Sequence, residues 1–280
     1  MRGLSGKVAM VVGAGSGIGR AAAHRLAEEG ASVAVVDVDQ DAADTTAAAI
    51  ESGGGHGVAL RADATSPDDV PRAVERMLAR LGGIDVLVNS VARVPRRTMY
   101  DITPQEWRDT VDACLFTYFV TTMSTLPHLI SRGGGKVVNV CSVTAHVGAQ
   151  LPAYSAAKGA VLAWSQEIAV EFAHHGITVN TVSPGVIETP INAEVLGTDV
   201  RATMLDAIPL ERLGQPEDVA AAIAFLASSD ADFISGADIV VDGAMIASTS
   251  WGTARTAWRT HDITATAPTT AERGAAHRTM

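Results

Sequence analysis

Strand-like and helix-like stretches alternate from Lys7 to Val241, which predicts an α/β fold: one doubly wound parallel sheet of about seven strands with helices on both faces. Two details sharpen this. The first strand opens into a glycine-rich turn, Gly13-Ala14-Gly15-Ser16-Gly17-Ile18-Gly19, that leads into a helix, and Ile84 to Val88 reads as a strand covered on both faces. At 280 residues and 47% hydrophobic content the chain can bury one large core, so one domain is expected over 1–246, with no room for a second.

The elements follow in order. Lys7 to Val12 is a short β-branched run, and Arg20 to Glu29 is helical until Gly30 stops it. Between them, backbone N–H groups and the positive end of a helix dipole come together, which suits a pyrophosphate. Ala31 to Val36 is the second strand, closed by Asp37, whose carboxylate can accept hydrogen bonds from an adenosine ribose and would repel a 2′-phosphate. NAD is therefore expected over NADP. Asp41 to Ser52 reads as helix, Gly57 to Ala62 as strand, and Pro67 to Leu81 as helix with Asp68 and Asp69 in its first turn. Thr103-Pro104 opens a long fourth helix as N-cap and N1. Its stripe of Glu106, Trp107, Val111, Leu115, Tyr118 and Phe119 reads as core and subunit interface. Lys136 to Cys141 is the fifth strand, Ile177 to Val182 the sixth and Ala237 to Val241 the seventh, with Pro216 to Ala227 a helix before it.

Ser142 ends the fifth strand, and Tyr154 and Lys158 follow in Pro152-Ala153-Tyr154-Ser155-Ala156-Ala157-Lys158. Residues four apart on a helix share a face, so a fixed ammonium stands beside the phenol. That cation favours the phenolate and should move a group of reference pKa about 10 toward the working range. By itself Tyr-x-x-x-Lys is ordinary surface decoration; its company decides otherwise.

Gly13, Gly17 and Gly19, Asp63 after the third strand, Asn89 after the fourth, Ser142, Tyr154, Lys158 and Pro184-Gly185 together resemble the short-chain dehydrogenase/reductase family, in the family's order, from about Gly6 to about Met245. The resemblance implies a Rossmann-type domain carrying nucleotide and substrate sites together, a homotetramer, and a tyrosine acid/base in place of a metal. It implies that Gly13, Ser16, Gly17, Ile18, Gly19, Asp37, Asp63 and Asn89 bind the dinucleotide, with Tyr154, Lys158, Pro184, Gly185, Ile187 and Thr189 at its nicotinamide end. Asp63 would touch the adenine; an ordinary turn or capping aspartate is the competing reading. The expected reaction is hydride transfer between NAD and a secondary alcohol or ketone: Tyr154 moves the proton, Ser142 orients the oxygen, and Lys158 holds the ribose. The alternatives are a nucleotide-binding sensor or scaffold, and non-redox lyase or isomerase chemistry; intact Ser142, Tyr154 and Lys158 weigh against both.

The chain departs from the family pattern in four places. Val12 replaces a threonine, Asn89-Ser90-Val91-Ala92 replaces Asn-Asn-Ala-Gly, Ser142 precedes Tyr154 by one residue fewer than expected, and Cys114 takes the place of a helix asparagine. In the family that asparagine marks an irregularity whose backbone carbonyl extends the proton path, a function cysteine can keep if the helix still bends there.

Pro190 to Leu213 reads as a substrate lid, with a plain surface insertion as the competing reading. Its Ile191, Val195, Leu196, Met204 and Leu205, with Arg201 as a cation among them, suit a neutral, largely apolar substrate, whereas Arg93, Arg96 and Arg97 are either a solvated cluster or a receiver for an anionic group. A net charge of −10 argues against nucleic acid or an anionic membrane as partner. No stretch of about 18 uninterrupted apolar residues occurs, so no membrane span is expected and a cytoplasmic enzyme is the simplest reading. Cys114 and Cys141 give neither a disulfide framework nor a metal site. Residues 247–280, with Trp251 and Trp258, form an extension expected to be ordered in its first part and loose in its last.

Overall fold

A computed structural model of the chain describes residues 1–197 and 199–248. The expectation for the extension, Trp251 and Trp258 included, therefore lies outside the described residues.

Seven parallel strands form one sheet in the order β3-β2-β1-β4-β5-β6-β7. They are β1 (Val8–Val12), β2 (Ser32–Asp37), β3 (His56–Arg61), β4 (Val86–Asn89), β5 (Gly135–Val140), β6 (Ile177–Pro184) and β7 (Asp238–Val241). Helices α1 (Gly17–Glu28), α2 (Gln40–Ser52), α3 (Asp69–Leu81), α4 (Pro104–Val111), α5 (Thr117–Ser131), α6 (Pro152–Phe172), α7 (Ala193–Leu196), α8 (Val200–Ala207) and α9 (Pro216–Ala227) connect or flank them. Successive strand side chains point to opposite faces, so the buried residues divide into two cores. Ala9, Val11, Val33 and Val35 pack with α1, α2 and α9, while Met10, Val12, Ala34 and Val36 pack with α3, α5 and α6. Val12 fills the second core where a threonine hydroxyl would have to find a partner, and its carbonyl accepts from Ser90 N–H at 2.9 Å. The order reverses between β1 and β4, and a crevice opens there at the strands' carboxyl ends.

Strand boundaries shift by one or two residues from the sequence expectation. β6 runs on to Pro184, and β4 starts only at Val86 because the preceding Asp85 is a buried hub. Its carboxylate accepts from Val8 N–H at 2.9 Å, Lys7 Nζ at 3.2 Å and Arg132 Nη2 at 3.0 Å, so it ties the starts of β1 and β4 to the end of α5. Burial pushes this carboxyl up, but the Val8 N–H, Arg132 and Lys7 outweigh burial and hold it below the usual value.

The fourth helix is not continuous. Asp112–Phe116 is a π turn between α4 and α5, centred on Cys114. Thr110 and Thr117 hydroxyls bond back to the carbonyls of Glu106 and Ala113, at 2.6 and 2.9 Å, which loosens the regular ladder on either side. Periodicity could not show this, since one extra residue leaves the apolar stripe readable. By length and composition the helix Pro104–Ser131 could cross a membrane, but half of that apolar window is buried inside this fold. Tyr118 belongs to the buried half at 0% exposure, which removes it from the subunit interface expected of the stripe ending in Tyr118 and Phe119. Phe119 is exposed and stacks on Phe116 at 6.0 Å, whereas Trp164 lies partly buried against the second core.

Replacing Asp85 with asparagine should lower stability at pH 7 by about 1–3 kcal/mol, because two cations and a buried N–H lose their charged acceptor. The carboxyl is depressed in the folded state, so its stabilisation is present above the ordinary aspartate value of 3.8 and is lost as pH falls below it. Denaturant titrations of both proteins at neutral and strongly acid pH should show the gap narrowing in acid.

Candidate active site

A cleft of about 860 Å³ runs along the carboxyl edge of the sheet, from the β2 and β3 ends across the glycine turn to α6 and the lid. The turn's form follows from its glycines. Gly17 takes φ +52°, and a Cβ at Gly19 would collide with the carbonyl of Gly13. The N-cap Ser16 makes no side-chain capping bond to α1, so the first N–H groups of the helix face the cleft uncapped. These donors and the bare backbone fit a dinucleotide pyrophosphate. At the end of β2, Asp37 accepts from Gly15 N–H at 2.8 Å and Asp39 N–H at 3.1 Å. Both oxygens keep a second lone pair for ribose hydroxyls. Asp63 lines the same end and accepts from the Thr65 N–H at 2.9 Å and its hydroxyl at 2.6 Å, so it is a turn aspartate that also faces the cleft.

Gly13, Ser16, Gly17, Ile18, Gly19, Asp37, Asp63, Pro184, Gly185, Ile187 and Thr189 all line this cleft, as do Ser142, Tyr154 and Lys158. Asn89 does not. It is 1% exposed; its amide donates to Asn139 at 2.9 Å and its carbonyl accepts from the Thr121 hydroxyl at 2.7 Å, so its side chain braces β4, β5 and α5 from beneath.

Ser142 accepts from both the N–H and the hydroxyl of Thr144 at 3.1 Å, which leaves its own O–H to donate into the cleft. Lys158 is 1% exposed, and no described carboxylate pairs with it. Its ammonium donates to Val140 O at 2.7 Å and Tyr118 Oη at 3.1 Å, leaving a third N–H for the cleft. Tyr118 in turn reaches Val91 O at 3.1 Å and Val140 O at 3.0 Å. Burial, with the Cys114 and Cys141 thiols nearby, holds its phenol far above the usual value, so it stays neutral and keeps its proton.

Tyr154 departs from expectation. Burial pushes its phenol up to about 12, against the pull of Lys158 and the Ser142 hydroxyl; Cys114 and Tyr118 add to the rise. As a residue Tyr154 is half-buried, but protein surrounds its phenol closely enough that desolvation dominates. Lys158 Nζ lies 5.8 Å from the Tyr154 ring centre, with two of its hydrogens already committed, so its field is felt at a distance.

Three features were not legible in sequence. Tyr118 is the lysine's partner, although its periodicity marked it as core. Cys114 Sγ accepts from Arg93 N–H at 3.3 Å and donates to Arg93 O at 3.4 Å, so the thiol does the local bonding an amide would do and anchors the loop after β4. His146 reaches Asp238 at 2.9 Å, and Asp238 accepts from Ser183 at 2.9 Å and Thr181 at 2.5 Å, fastening the loop after Ser142 to β6 and β7. Only tertiary pairing brings these residues together.

A doubly wound sheet with a glycine turn, an aspartate closing β2 and a serine, tyrosine and lysine along one cleft has the layout of an oxidoreductase whose family uses NAD or NADP. The chain belongs to the short-chain dehydrogenase/reductase family of oxidoreductases; the family model described as enoyl-(acyl carrier protein) reductase matches residues 13–245. It is 41% identical to the cis-4-hydroxycyclohexanecarboxylate dehydrogenase of Sinomonas cyclohexanicum over 239 residues, 85% of this chain and 95% of the relative. It is 37% identical to the cyclohexanol dehydrogenase of an Acinetobacter species over 240 residues, covering 85% and 94%. Among solved structures, a short-chain type dehydrogenase/reductase from Mycobacterium marinum superposes with a TM-score of 0.83 at 35% identity, over 86% of this chain and 96% of that one.

Tyr118→Phe should cost about 1–3 kcal/mol of stability, because it strips a buried ammonium and two carbonyls of a shared hydroxyl. Chemical denaturation checks this; a change below about 0.5 kcal/mol, the range of neutral surface changes, would show that the hydroxyl anchors nothing.

Proposed function

We propose that the protein oxidises a secondary alcohol with a largely apolar body to the ketone, and reduces the ketone in reverse, with NAD as cofactor and Tyr154 as the acid/base. The observation that carries this reading is the meeting of Ser142, Tyr154 and Lys158 in the cleft that Asp37 and the glycine turn also line. The body of the substrate would lie against Val147, Leu151, Val186, Ile191 and Met204. Relatives named for cyclohexanol and a hydroxycyclohexane acid support a ring alcohol.

NAD, when bound, supplies the hydride acceptor. The chain's residues do the rest. The glycine turn and α1 N-terminus hold the pyrophosphate, Asp37 the adenosine ribose, and Lys158 the nicotinamide ribose through its free N–H. Ser142, its lone pairs already engaged by Thr144, donates to the substrate oxygen and orients it toward Tyr154. Tyr154 as phenolate takes the hydroxyl proton during oxidation and, as phenol, returns it during reduction. Lys158 favours the phenolate, and Tyr118 keeps the ammonium aligned without competing for the proton. The π turn at Cys114 keeps a bend where the family's asparagine stands, so the cysteine substitutes at the level of backbone support.

Because burial holds the Tyr154 phenol above the neutral range, oxidation of cyclohexanol, followed by NADH absorbance, should rise with pH by up to about tenfold per unit between about pH 7 and about pH 10. Ketone reduction needs the protonated form and should stay nearly flat there. Tyr154→Phe should lower turnover by about 10²–10⁴-fold and remove the slope; a pH profile unchanged by that substitution would refute the assignment.

Cofactor preference is the second check. The unmodified enzyme should show higher kcat/KM with NAD than with NADP, and Asp37→Ser should narrow the ratio by roughly tenfold or more, about 1.4 kcal/mol. Equal efficiency with both cofactors in the unmodified enzyme would overturn the role of Asp37.

A further inference from the structure

The three arginines after β4 share a short loop, but their charges are differently engaged. Arg93 pairs with Asp109 at 3.7 Å and Arg97 with Glu106 at 3.3 Å. Arg201, a lid cation, is held by Glu188 at 2.7 Å. Arg96 lines the cleft and contacts no described carboxylate. Its guanidinium donates from one Nη to Ile191 O at 3.1 Å and Asn192 Oδ1 at 2.9 Å, both neutral acceptors on the segment entering the lid. A guanidinium carries five N–H donors in a planar fork, so these contacts leave most of the fork unspent. The acidic residues lining the cleft, Asp37 and Asp63, stand at the ends of β2 and β3 where the ribose and adenine end is assigned, so no lining carboxylate competes for Arg96 at the lid.

The loop is also built to hold still. Cys114 in the π turn clasps the backbone of Arg93 through both its N–H and its carbonyl, three residues before Arg96. The arginine is therefore anchored from the π turn on one side and the lid on the other.

We infer that Arg96 receives a carboxylate carried by the substrate away from its carbinol carbon, which makes the preferred substrate an apolar-bodied hydroxy monocarboxylate in place of a wholly neutral alcohol. This deepens, and rests on, the alcohol dehydrogenase reading. Guanidinium and carboxylate meet in a planar two-bond fork, and an incoming carboxylate would bridge the loop after β4 to the lid, so that binding and lid position are coupled.

The test uses the full chain with NAD and two probes, cyclohexanol and 4-hydroxycyclohexanecarboxylate, compared by kcat/KM. The wild type should prefer the carboxylate, and the preference should shrink as salt is raised. Arg96→Gln should cut the carboxylate-to-cyclohexanol ratio by about 10–100-fold, the range of a hydrogen bond to a charged group, mainly through KM, with Arg96→Lys restoring part of it. Arg97→Gln, whose charge is committed to Glu106, should change the ratio by less than about threefold. Equal use of both probes by the wild type, or a parallel fall for both in Arg96→Gln accompanied by a raised KM for NAD, would overturn the inference and assign Arg96 to the dinucleotide, leaving the dehydrogenase reading intact. Turnover of neither probe, nor of a wider set of secondary alcohols, would overturn that reading and this inference together.

Discussion

A buried ammonium without a carboxylate partner governs the architecture around the cleft. Among the described residues Lys158 is compensated by two oxygen dipoles, Val140 O and Tyr118 Oη, and by the Tyr118 ring face 4.8 Å away, and leaving either hydrogen bond unmade would leave a cation poorly met in a low-dielectric interior. Meeting that demand locks three elements together. The end of β5 supplies the carbonyl, α5 the phenol and α6 the lysine, so the serine that follows β5 and the tyrosine one turn before the lysine face the same space. Had a carboxylate neutralised Lys158, its field at Tyr154 would be largely cancelled; dipoles hold the ammonium without removing its charge.

A second polar network stiffens the layer below. Thr121 bonds to Asn89, Asn89 to Asn139, and Asn139 to Ser165 at 2.9 Å, which links α5, β4, β5 and α6 through buried side chains. Every bond in the chain pairs a donor with an acceptor, so it rigidifies without leaving an unmet polar atom. Asn89 thus serves the site by holding the strands beneath it. The π turn is the complementary device, a local irregularity that lets α4 and α5 share one apolar face while Cys114 reaches the loop carrying Arg96.

Fold class was legible because each of its signals is local. Alternation of apolar runs with helical stripes, Gly17 and Gly19 where backbones converge, Asp37 at a strand end and the four-residue spacing of Tyr154 and Lys158 all survive without knowledge of any distant contact. The boundaries of β4 moved because Asp85 is fixed by Lys7 and Arg132, residues remote in the chain. The expected lowering of the tyrosine pKa failed for a related reason: spacing reveals the cation but not the desolvation opposing it, since burial is a property of everything packed around the group.

The sequence by itself determined the parallel α/β architecture, the glycine turn after β1, the aspartate closing β2 and the positions of the serine, tyrosine and lysine, because periodicity, glycine geometry and short spacing encode them within a few residues. Only the tertiary structure decided which arginine of Arg93, Arg96 and Arg97 keeps an unpaired charge, that Tyr118 supports Lys158 and not a subunit interface, and that Asn89 braces the sheet without lining the cleft. Those outcomes depend on Asp109 and Glu106 of α4 and on Val140 and Asn139 of β5, elements separate in the chain from the groups they meet. Whether a charge or amide is spent internally or left for a ligand is settled by which partners packing brings within hydrogen-bond reach, and no local pattern in the chain carries that information.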